Sequence, residues 1–342
     1  MQETRRLDRP GYQIDAGQLA RYDARFDAFG RRPWNSGGLA FDCHCVANGA
    51  DDKESATKHC QAQKALSKAA NSLELHFVKH FCGLSADPPD SAVGEGEVAH
   101  WTGDDPEGNA AAVKVAARKI GADLVGICRV RKDWIYSHDR SGKQVELPEG
   151  HDWAVVMVIA MDPSDIMDGA GPGAHMSTML GYMRMGLYVS ALSLFIRQLG
   201  WSAVAACNGT GLSIPLAVDA GLGELGRNGL LITPEFGPCV RICKVFTDMP
   251  LVADRPVTFG VEQFCRSCRK CSDACEVDAI STEESPDFTP ACPSSSSGVR
   301  KWCVHGPKCL EYWSNIGGSC SACIAACPYT MIGWHRAAPT SD

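Results

Sequence analysis

The chain has 342 residues, a formal net charge of −7 and 45% hydrophobic residues. This length predicts about two domains with buried cores, and the acidic balance disfavours a nucleic-acid partner, which would need a broad basic surface. Eighteen cysteines are present, and the residues after Arg5-Arg6 contain no apolar run that could serve as a signal peptide. Both features favour a reducing compartment, with the cytoplasm as the expected location.

Residues 1–100 are predicted to form a polar N-terminal region, irregular apart from one helix. That helix covers Asp51–His80, where alanine and leucine recur at helical spacings. A metal site at Cys43-His44-Cys45 and His59-Cys60 is not favoured, because no second C-x2-C pair completes a closed tetrahedral site.

Residues 101–255 are predicted to form a second domain, in which helices and strands alternate. The expected elements are the helix Ala110–Ile120, the strands Ala122–Cys128 and Trp153–Met161, the helix Thr178–Leu199 and the strand Ser202–Cys207. Trp153–Met161 is apolar throughout, which is typical of a central strand buried on both faces. No apolar run in the sequence is long enough to predict a membrane span.

Four glycines lie close together at Gly221, Gly223, Gly226 and Gly229, ahead of a predicted strand at Leu230–Thr233. Because glycine has no Cβ, such a loop suits either the close approach of a phosphate-bearing cofactor or a tight structural turn. The dinucleotide motif G-x-G-x-x-G opens a helix, whereas this one leads into a strand. Nicotinamide binding is therefore disfavoured, and the other two interpretations stay open.

Residues 256–342 are predicted to form a third domain and carry the most specific motif of the chain. The run C-x2-C-x2-C-x3-C is typical of cubane iron–sulfur clusters, with three cysteines on one cluster and the fourth on another. It predicts two [4Fe–4S] clusters, one held by Cys265, Cys268, Cys271 and Cys327, the other by Cys275, Cys309, Cys320 and Cys323. Cys303 is an alternative to Cys309. A zinc ribbon or a disulfide scaffold is the alternative to iron–sulfur clusters. Both are disfavoured, since a zinc ribbon uses two C-x2-C pairs and would leave some of these cysteines without a role.

The stretch from Ala220 to Asp248 resembles the cobalamin-dependent reductive dehalogenases. It reads A-G-L-G-E-L-G-R-N-G-L-L-I-T-P-E-F-G and continues P-C-V-R-I-C-K-V-F-T-D. With the cysteine motifs, the resemblance covers about residues 120–330. It implies an α+β fold (an α/β sandwich), with a nitroreductase-like corrinoid-binding core and a ferredoxin-like module for the two [4Fe–4S] clusters. The implied cobalamin is base-off, in agreement with the absence of a D-x-H-x-x-G motif.

The resemblance also implies the active-site residues. Tyr182 matches a catalytic tyrosine one turn after Thr178, while Asn208 and Arg241 match an asparagine after the next strand and a basic residue in V-R-x-C-K. A guanidinium beside a phenol favours the phenolate, so Tyr182 would release a proton more readily, and Asn208 would position the phenol or the halide. Thr178 and the four glycines would bind the cofactor. The alternatives are a core tyrosine, a turn at Asn208 and an ion pair between Arg241 and Asp248.

The implied reaction replaces halogen by hydrogen in a halogenated organic compound. Electrons from an external low-potential donor would pass through the clusters to give Co(I) cobalamin, and Tyr182 would supply the proton. A homodimer is a further candidate assembly. Trp34, Trp101, Tyr312 and Trp313 are candidates for an aromatic substrate wall, although ordinary core packing is favoured for each, and His175 is left unassigned.

Two other functions compete. Epoxyqueuosine reductase resembles the dehalogenases but acts on a modified tRNA base with an aspartate as proton donor, whereas the matching region here offers Thr178 and Tyr182. A non-catalytic electron carrier is the second alternative, and it would not need so large a domain ahead of its cluster motif.

Overall fold

The computed structural model describes residues 3–28, 53–82 and 105–330, with side chains in the first long helix from Cys60 onward. The strands are β1 (Arg5–Arg6), β2 (Leu124–Arg129), β3 (Trp153–Ala160), β4 (Ala203–Ala206), β5 (Glu224–Leu225), β6 (Leu231–Ile232), β7 (Val240–Thr247) and β8 (Val257–Thr258). The helices are α1 (Lys53–Phe81), α2 (Pro106–Ile120), α3 (Pro163–Ile166), α4 (Pro172–Gln198), α5 (Ser213–Asp219), α6 (Val261–Ser267), α7 (Lys270–Asp273), α8 (Gly306–Ile316) and α9 (Ala322–Ala325).

A four-stranded sheet of order β2-β3-β7-β4 forms the centre of the molecule, and all its neighbouring strands are antiparallel. One face packs against α2 and α4, and the opposite face packs against α5. Its strands are rich in valine, isoleucine and alanine, which suit a sheet covered on both sides. The fold is therefore a mixed helix-and-sheet sandwich, and β3 is a buried central strand as predicted.

Helix α4 carries the predicted tyrosine and is apolar on nearly all sides. Among the described residues it is the one helix long and apolar enough to cross a bilayer by length and composition. A helix apolar all round is found either in a membrane or inside a protein core. Here α4 lies between α1 and the sheet, with further contacts to α2 and α3, so packing within the protein accounts for its composition. The expectation that no apolar segment reaches spanning length does not hold for α4 by length and composition, because a helix of spanning length tolerates single polar residues that interrupt its apolar runs.

The described part of the N-terminal region is attached to both of the other predicted domains. Strand β1 pairs with β8, and Asp15 N–H donates to the carbonyl of Gly298 at 2.9 Å. On the core side, Arg21 donates to the carbonyl of Tyr136 at 2.7 Å. These contacts attach residues 5–21 to both regions, and the domain boundaries at 100 and 255 stay predictions.

Most predicted elements are confirmed, with shifts of a few residues at their ends. Helix α2 ends at Gly121, whose φ of 125° suits glycine. The predicted strand Leu230–Thr233 contracts to β6, which forms a small hairpin with β5. Strand β7 was not predicted, although its sequence, V-R-I-C-K-V-F-T, is rich in the β-branched and aromatic residues that favour strands.

Candidate functional site

Thr178, Tyr182 and Arg241 come together where α4 crosses β7. Arg241 Nη2 donates to Thr178 Oγ1 at 2.9 Å, and Nη1 approaches the Tyr182 hydroxyl at 3.5 Å. The guanidinium carbon lies 4.7 Å from the centre of the tyrosine ring, a cation–π distance. Tyr182 follows Thr178 by four positions, so both side chains occupy one face of the helix. The three side chains implied by the family resemblance therefore lie together in the fold.

The ion pair considered for Arg241 is contradicted by its position. Arg241 and Asp248 lie seven residues apart along the extended strand β7, roughly 24 Å at 3.4 Å per residue. Asp248 instead accepts a hydrogen bond from the Ser202 backbone N–H at 2.8 Å.

Gly181 permits this arrangement and was not identified from the sequence. A Cβ at this position would lie 2.8 Å from Arg241 Cγ, well inside the 3.5–4.0 Å at which carbon atoms pack. The absence of a side chain therefore lets the arginine cross close to the helix backbone. A glycine next to the candidate tyrosine in the middle of a long helix is a signal that could have indicated this contact.

Asn208 lies in the exposed loop that follows β4, the strand next to β7. Its backbone carbonyl accepts a hydrogen bond from the Tyr136 hydroxyl at 3.2 Å. Two residues on, Thr210 has a φ of 71°, a left-handed conformation that is strained for threonine. The loop is thus a structured turn, and a catalytic role for the Asn208 side chain stays a prediction.

A buried lysine holds this loop in place. Lys244 Nζ donates to the carbonyls of Cys207 and Gly211 and to Ser213 Oγ, at 2.8, 2.9 and 2.9 Å. Burial lowers the pKa of Lys244 to about 8, against opposing effects of nearby thiols. No role for Lys244 was predicted, because its three acceptors lie more than thirty residues away, in the loop after β4 and at the start of α5.

Four of the predicted cluster ligands surround one cavity. Cys265, Cys268, Cys271 and Cys327 line about 290 Å³ of empty space, part of it open to solvent. Burial, and after it the charges of Cys265 and Cys268, raises the pKa of Cys271 to about 11. Thiols packed together without a cation resist ionisation, whereas bound iron would favour the thiolates. The arrangement fits the first predicted [4Fe–4S] cluster.

The other four ligands form a second group. Burial, and then Cys320 and Cys275, raises the pKa of Cys309 to about 11. Cys323 has a raised pKa through burial and then through Cys309, Cys320, Cys271 and Cys275. The four predicted ligands therefore lie near one another and close to the first group, which fits the second predicted cluster.

Cys303 lies near Lys301, whose pKa is lowered by burial against a smaller opposing effect of the thiol. This geometry supports Cys309 over Cys303 as the fourth ligand of the second group.

The described cysteines are all free thiols, so the disulfide scaffold is not supported. Within the same residues, no three or more His, Cys, Asp or Glu side chains meet at the spacing of a single metal ion. A cubane distributes its four ligands over four irons and holds them farther apart than one ion does. A zinc ribbon stays disfavoured because it would leave cysteines without a role.

The glycine loop has a structural explanation within the protein itself. At three of the four positions an added Cβ would meet Arg255 O at 2.4 Å (Gly221), Ile232 O at 2.1 Å (Gly223) and Val304 Cγ2 at 2.9 Å (Gly229). At Gly226 it would lie 2.9 Å from the side chains of Asn228 and Ile232. The tight-turn interpretation thus explains all four glycines, and their contact with a cofactor stays a prediction.

The remaining candidates occupy other places. His175 lies in the first turn of α4, not in a loop, and its Nδ1 accepts a hydrogen bond from the Ser319 N–H at 3.2 Å. Tyr312 and Trp313 lie on α8 beside the second cysteine group. Cys320, after burial, raises the pKa of Tyr312, and a hydrogen bond with Trp313 opposes the raised pKa of Cys309. Trp34, Trp101, the Cys43-His44-Cys45 run and the His59 side chain lie outside the described residues, and Cys60 is buried.

The described residues thus combine a sheet-and-helix core, a tyrosine–arginine pair and eight cysteines in two groups. No protein-family model matches the chain. It is 37% identical over 278 residues to the tetrachloroethene reductive dehalogenase of Sulfurospirillum multivorans, covering 72% of this chain and 53% of that one. The chain belongs to the reductive dehalogenase family.

Solved structures agree with this assignment. The catabolic reductive dehalogenase NpRdhA, in complex with 3-bromo-4-hydroxybenzoic acid, matches with a TM-score of 0.69 and 26% identity, over 97% of this chain and 45% of that one. A reductive dehalogenase structure described as suggesting a mechanism for B12-dependent dehalogenation matches with a TM-score of 0.67 and 26% identity, over 97% and 46% of the two chains. The chain spans about half the length of the curated relatives it matches.

Proposed function

We propose that this protein is a cobalamin-dependent reductive dehalogenase that replaces halogen by hydrogen in an organic substrate. The observation that carries the proposal is the contact of Arg241 with both Thr178 and Tyr182. We further propose a nitroreductase-like core, a ferredoxin-like module for two [4Fe–4S] clusters and an external low-potential electron donor. A cytoplasmic location is supported by the free thiols of the described residues.

The residues around Arg241 fit a polar cofactor or substrate. Its Nε is buried and has no hydrogen-bond partner among the described residues, which is costly for a charged group. A bound molecule that accepts this hydrogen bond would remove the cost. Arg241, Thr178 and Tyr182 are therefore the residues that we propose to face a base-off corrinoid and the substrate. When bound, the corrinoid would supply low-potential electrons from cobalt to the carbon–halogen bond.

The proton in the net reaction would come from Tyr182. Reductive dehalogenation consumes two electrons and one proton for each carbon–halogen bond and releases one halide ion. Transfer of the hydroxyl proton leaves a phenolate, whose charge the adjacent Arg241 guanidinium would balance. Thr178 fixes the guanidinium through the 2.9 Å hydrogen bond. Tyr182 then returns to its neutral form by taking a proton from solvent.

Helix α4 connects the cluster module to the tyrosine. His175, in its first turn, contacts Ser319 next to the ligand Cys320. His175, Thr178 and Tyr182 follow at i, i+3 and i+7, so they share one face of the helix over about 10 Å. This face supports a proposal in which electrons enter from the cysteine module and the proton is delivered further along the same helix.

The experiment starts with anaerobic reconstitution of the protein with iron, sulfide and cobalamin. About eight irons, the sum of two cubanes, and about one corrinoid are expected per chain. Halide release is then measured with reduced methyl viologen as electron source and a panel of halogenated phenols, benzoates and alkenes. Tetrachloroethene and 3-bromo-4-hydroxybenzoate belong in the panel because they occur in the names of matching proteins. Full loading without halide release from any member would contradict the proposal.

Tyr182→Phe tests the proton donor. The variant keeps the ring beneath Arg241 but lacks the proton, so we expect halide release to fall by about 10²- to 10⁴-fold, the usual contribution of general acid catalysis. Tyr188→Phe is the matched control. It removes a tyrosine hydroxyl from the same helix, but this hydroxyl lies beside Gly121. Parent-like halide release by Tyr182→Phe would show that the donor is a different group.

The function of epoxyqueuosine reductase predicts a different outcome of the same experiment. Iron and corrinoid would bind, and turnover would occur on a modified tRNA base without halide release from the panel. An electron carrier without catalysis would bind iron but no corrinoid.

A further inference from the structure

The turn between β5 and β6 holds the first group of cluster cysteines. Its central arginine, Arg227, is only 1% exposed and makes no ion pair among the described residues. Its hydrogen bonds within the described residues instead go to backbone carbonyls. Nε donates to Cys265 and Cys268 at 3.1 Å each, Nη2 to Cys265 at 2.6 Å, and Nη1 to Ser281 and Glu283 at 2.9 and 2.6 Å.

The surroundings fix this side chain further. The guanidinium stacks on the Trp302 ring at 4.6 Å, and it lines the cavity of the four cysteines. A few residues earlier, Glu224 accepts hydrogen bonds from the Phe259 and Val261 N–H groups at 2.6 and 3.3 Å. The hairpin therefore places an acidic residue at the N-terminal end of α6 and a basic residue at its C-terminal end, the favourable arrangement for the helix dipole.

The next residue, Asn228, lines the same cavity. Its Oδ1 accepts the Leu230 N–H at 3.2 Å, and since a backbone N–H can only donate, this bond fixes which end of the amide is Nδ2. Asn228 is 6% exposed, and Nδ2 is buried without a hydrogen-bond partner among the described residues. A buried donor of this kind calls for an acceptor.

We propose that the Arg227-Asn228 turn sets the reduction potential of the first cluster. Asn228 Nδ2 would donate a hydrogen bond to a sulfur of the cluster, and the Arg227 charge would lie beside it. Reduction adds negative charge to an assembly that already carries four thiolates, and a fixed positive charge and a hydrogen bond to sulfur both favour the reduced form. The inference rests on the cluster-binding part of the proposed function but needs neither cobalamin nor turnover.

The test measures iron content and the two cluster midpoint potentials by redox titration with electron paramagnetic resonance. For Arg227→Gln we expect the equilibrium constant for one-electron reduction of one cluster to fall about tenfold, which corresponds to about 59 mV. The other cluster acts as an internal reference. For Asn228→Ser we expect a smaller shift in the same direction, because serine preserves the local turn while the Nδ2 donor is lost.

Two further variants separate charge from scaffolding. Arg227→Lys keeps the charge but cannot bond all these carbonyls, so we expect a nearly parental midpoint with a lower melting temperature. Arg300→Gln is the control, since it removes a charge paired with Glu262 from a position outside the lining of the cavity. It should leave both midpoints unchanged.

Each outcome decides one question. Unchanged midpoints in Arg227→Gln and Asn228→Ser with full iron content would overturn the inference. If Arg227→Gln assembles only about four irons, the cluster midpoint potentials of Asn228→Ser and Arg227→Lys still test the inference. Failure of the parent protein to assemble clusters would instead contradict the proposed function itself.

Discussion

Gly181→Ala tests whether the geometry of Arg241 controls catalysis. The added Cβ would lie 2.8 Å from Arg241 Cγ, about 0.7 Å inside the shortest normal carbon–carbon packing distance. Cγ is close to the β7 backbone, so the whole side chain must rotate, which breaks its alignment with Thr178 and Tyr182. Displacements of about 1 Å in an active site can cost about 100-fold in rate, and we expect halide release to fall by about 10- to 100-fold.

The effect on stability should be small by comparison. Alanine favours a helix interior over glycine by about 1 kcal/mol, while overpacking a buried site costs about 1–3 kcal/mol. The free energy of unfolding should therefore change by no more than about 2 kcal/mol, measured by anaerobic thermal or denaturant unfolding of the loaded protein.

Gly186→Ala provides the control for this prediction. This glycine lies in the same helix, and its added Cβ would meet Phe77 Cβ of α1 at 2.9 Å. Its stability cost should be comparable, but halide release should stay at the parental rate because Arg241 is not displaced. The reasoning fails if Gly181→Ala retains the parental rate, or if Gly186→Ala loses as much activity.

Two other predictions concern the clusters and the buried lysine. Cys309→Ser should lose the second cluster, leaving about four irons, whereas Cys303→Ser should retain about eight; the opposite result in an iron assay would exchange the two assignments. Lys244 has a folded-state pKa of about 8 against an ordinary 10.5, so the unfolded chain binds more protons between these values. The free energy of unfolding should therefore rise with pH from 8 to 10.5, relative to Lys244→Met. A constant difference between parent and variant across that window in denaturant titrations would contradict it.

Local patterns in the sequence were sufficient for several features of this protein. The spacing of apolar residues, together with glycines at the ends of segments, predicted α1, α2, α4 and β3. Helix and strand formation depend largely on residues that are near in sequence. The spacing of the cysteines predicted the two ligand groups for a similar reason. A cubane imposes a fixed local spacing on the loop that wraps it, and Cys327 was assigned to the first group on that logic.

Contacts between residues far apart in the sequence were harder to predict. Nothing in the local pattern paired Lys244 with the loop after β4, and for Arg241 the pattern suggested an ion pair with Asp248 as an alternative. The positions of Arg241 and Lys244 on β7 explain the contacts of both residues, because alternate residues of a strand point to opposite faces of the sheet. Arg241 reaches α4 on one face, whereas Lys244 reaches the Cys207 and Gly211 carbonyls on the other.

The sequence by itself determined the family, and the spacing of its cysteines predicted two groups of cluster ligands, because motif spacing is a local property. The family resemblance in turn implied the tyrosine with its threonine one turn earlier. Only the tertiary structure provided support for Cys309 over Cys303 in the second group, and only it showed the dependence of the Arg241 contact on Gly181 and the hydrogen bonds of Arg227 to the backbone carbonyls of Cys265 and Cys268. Each of these depends on which distant segments pack together, and close packing leaves room for only one arrangement of their side chains.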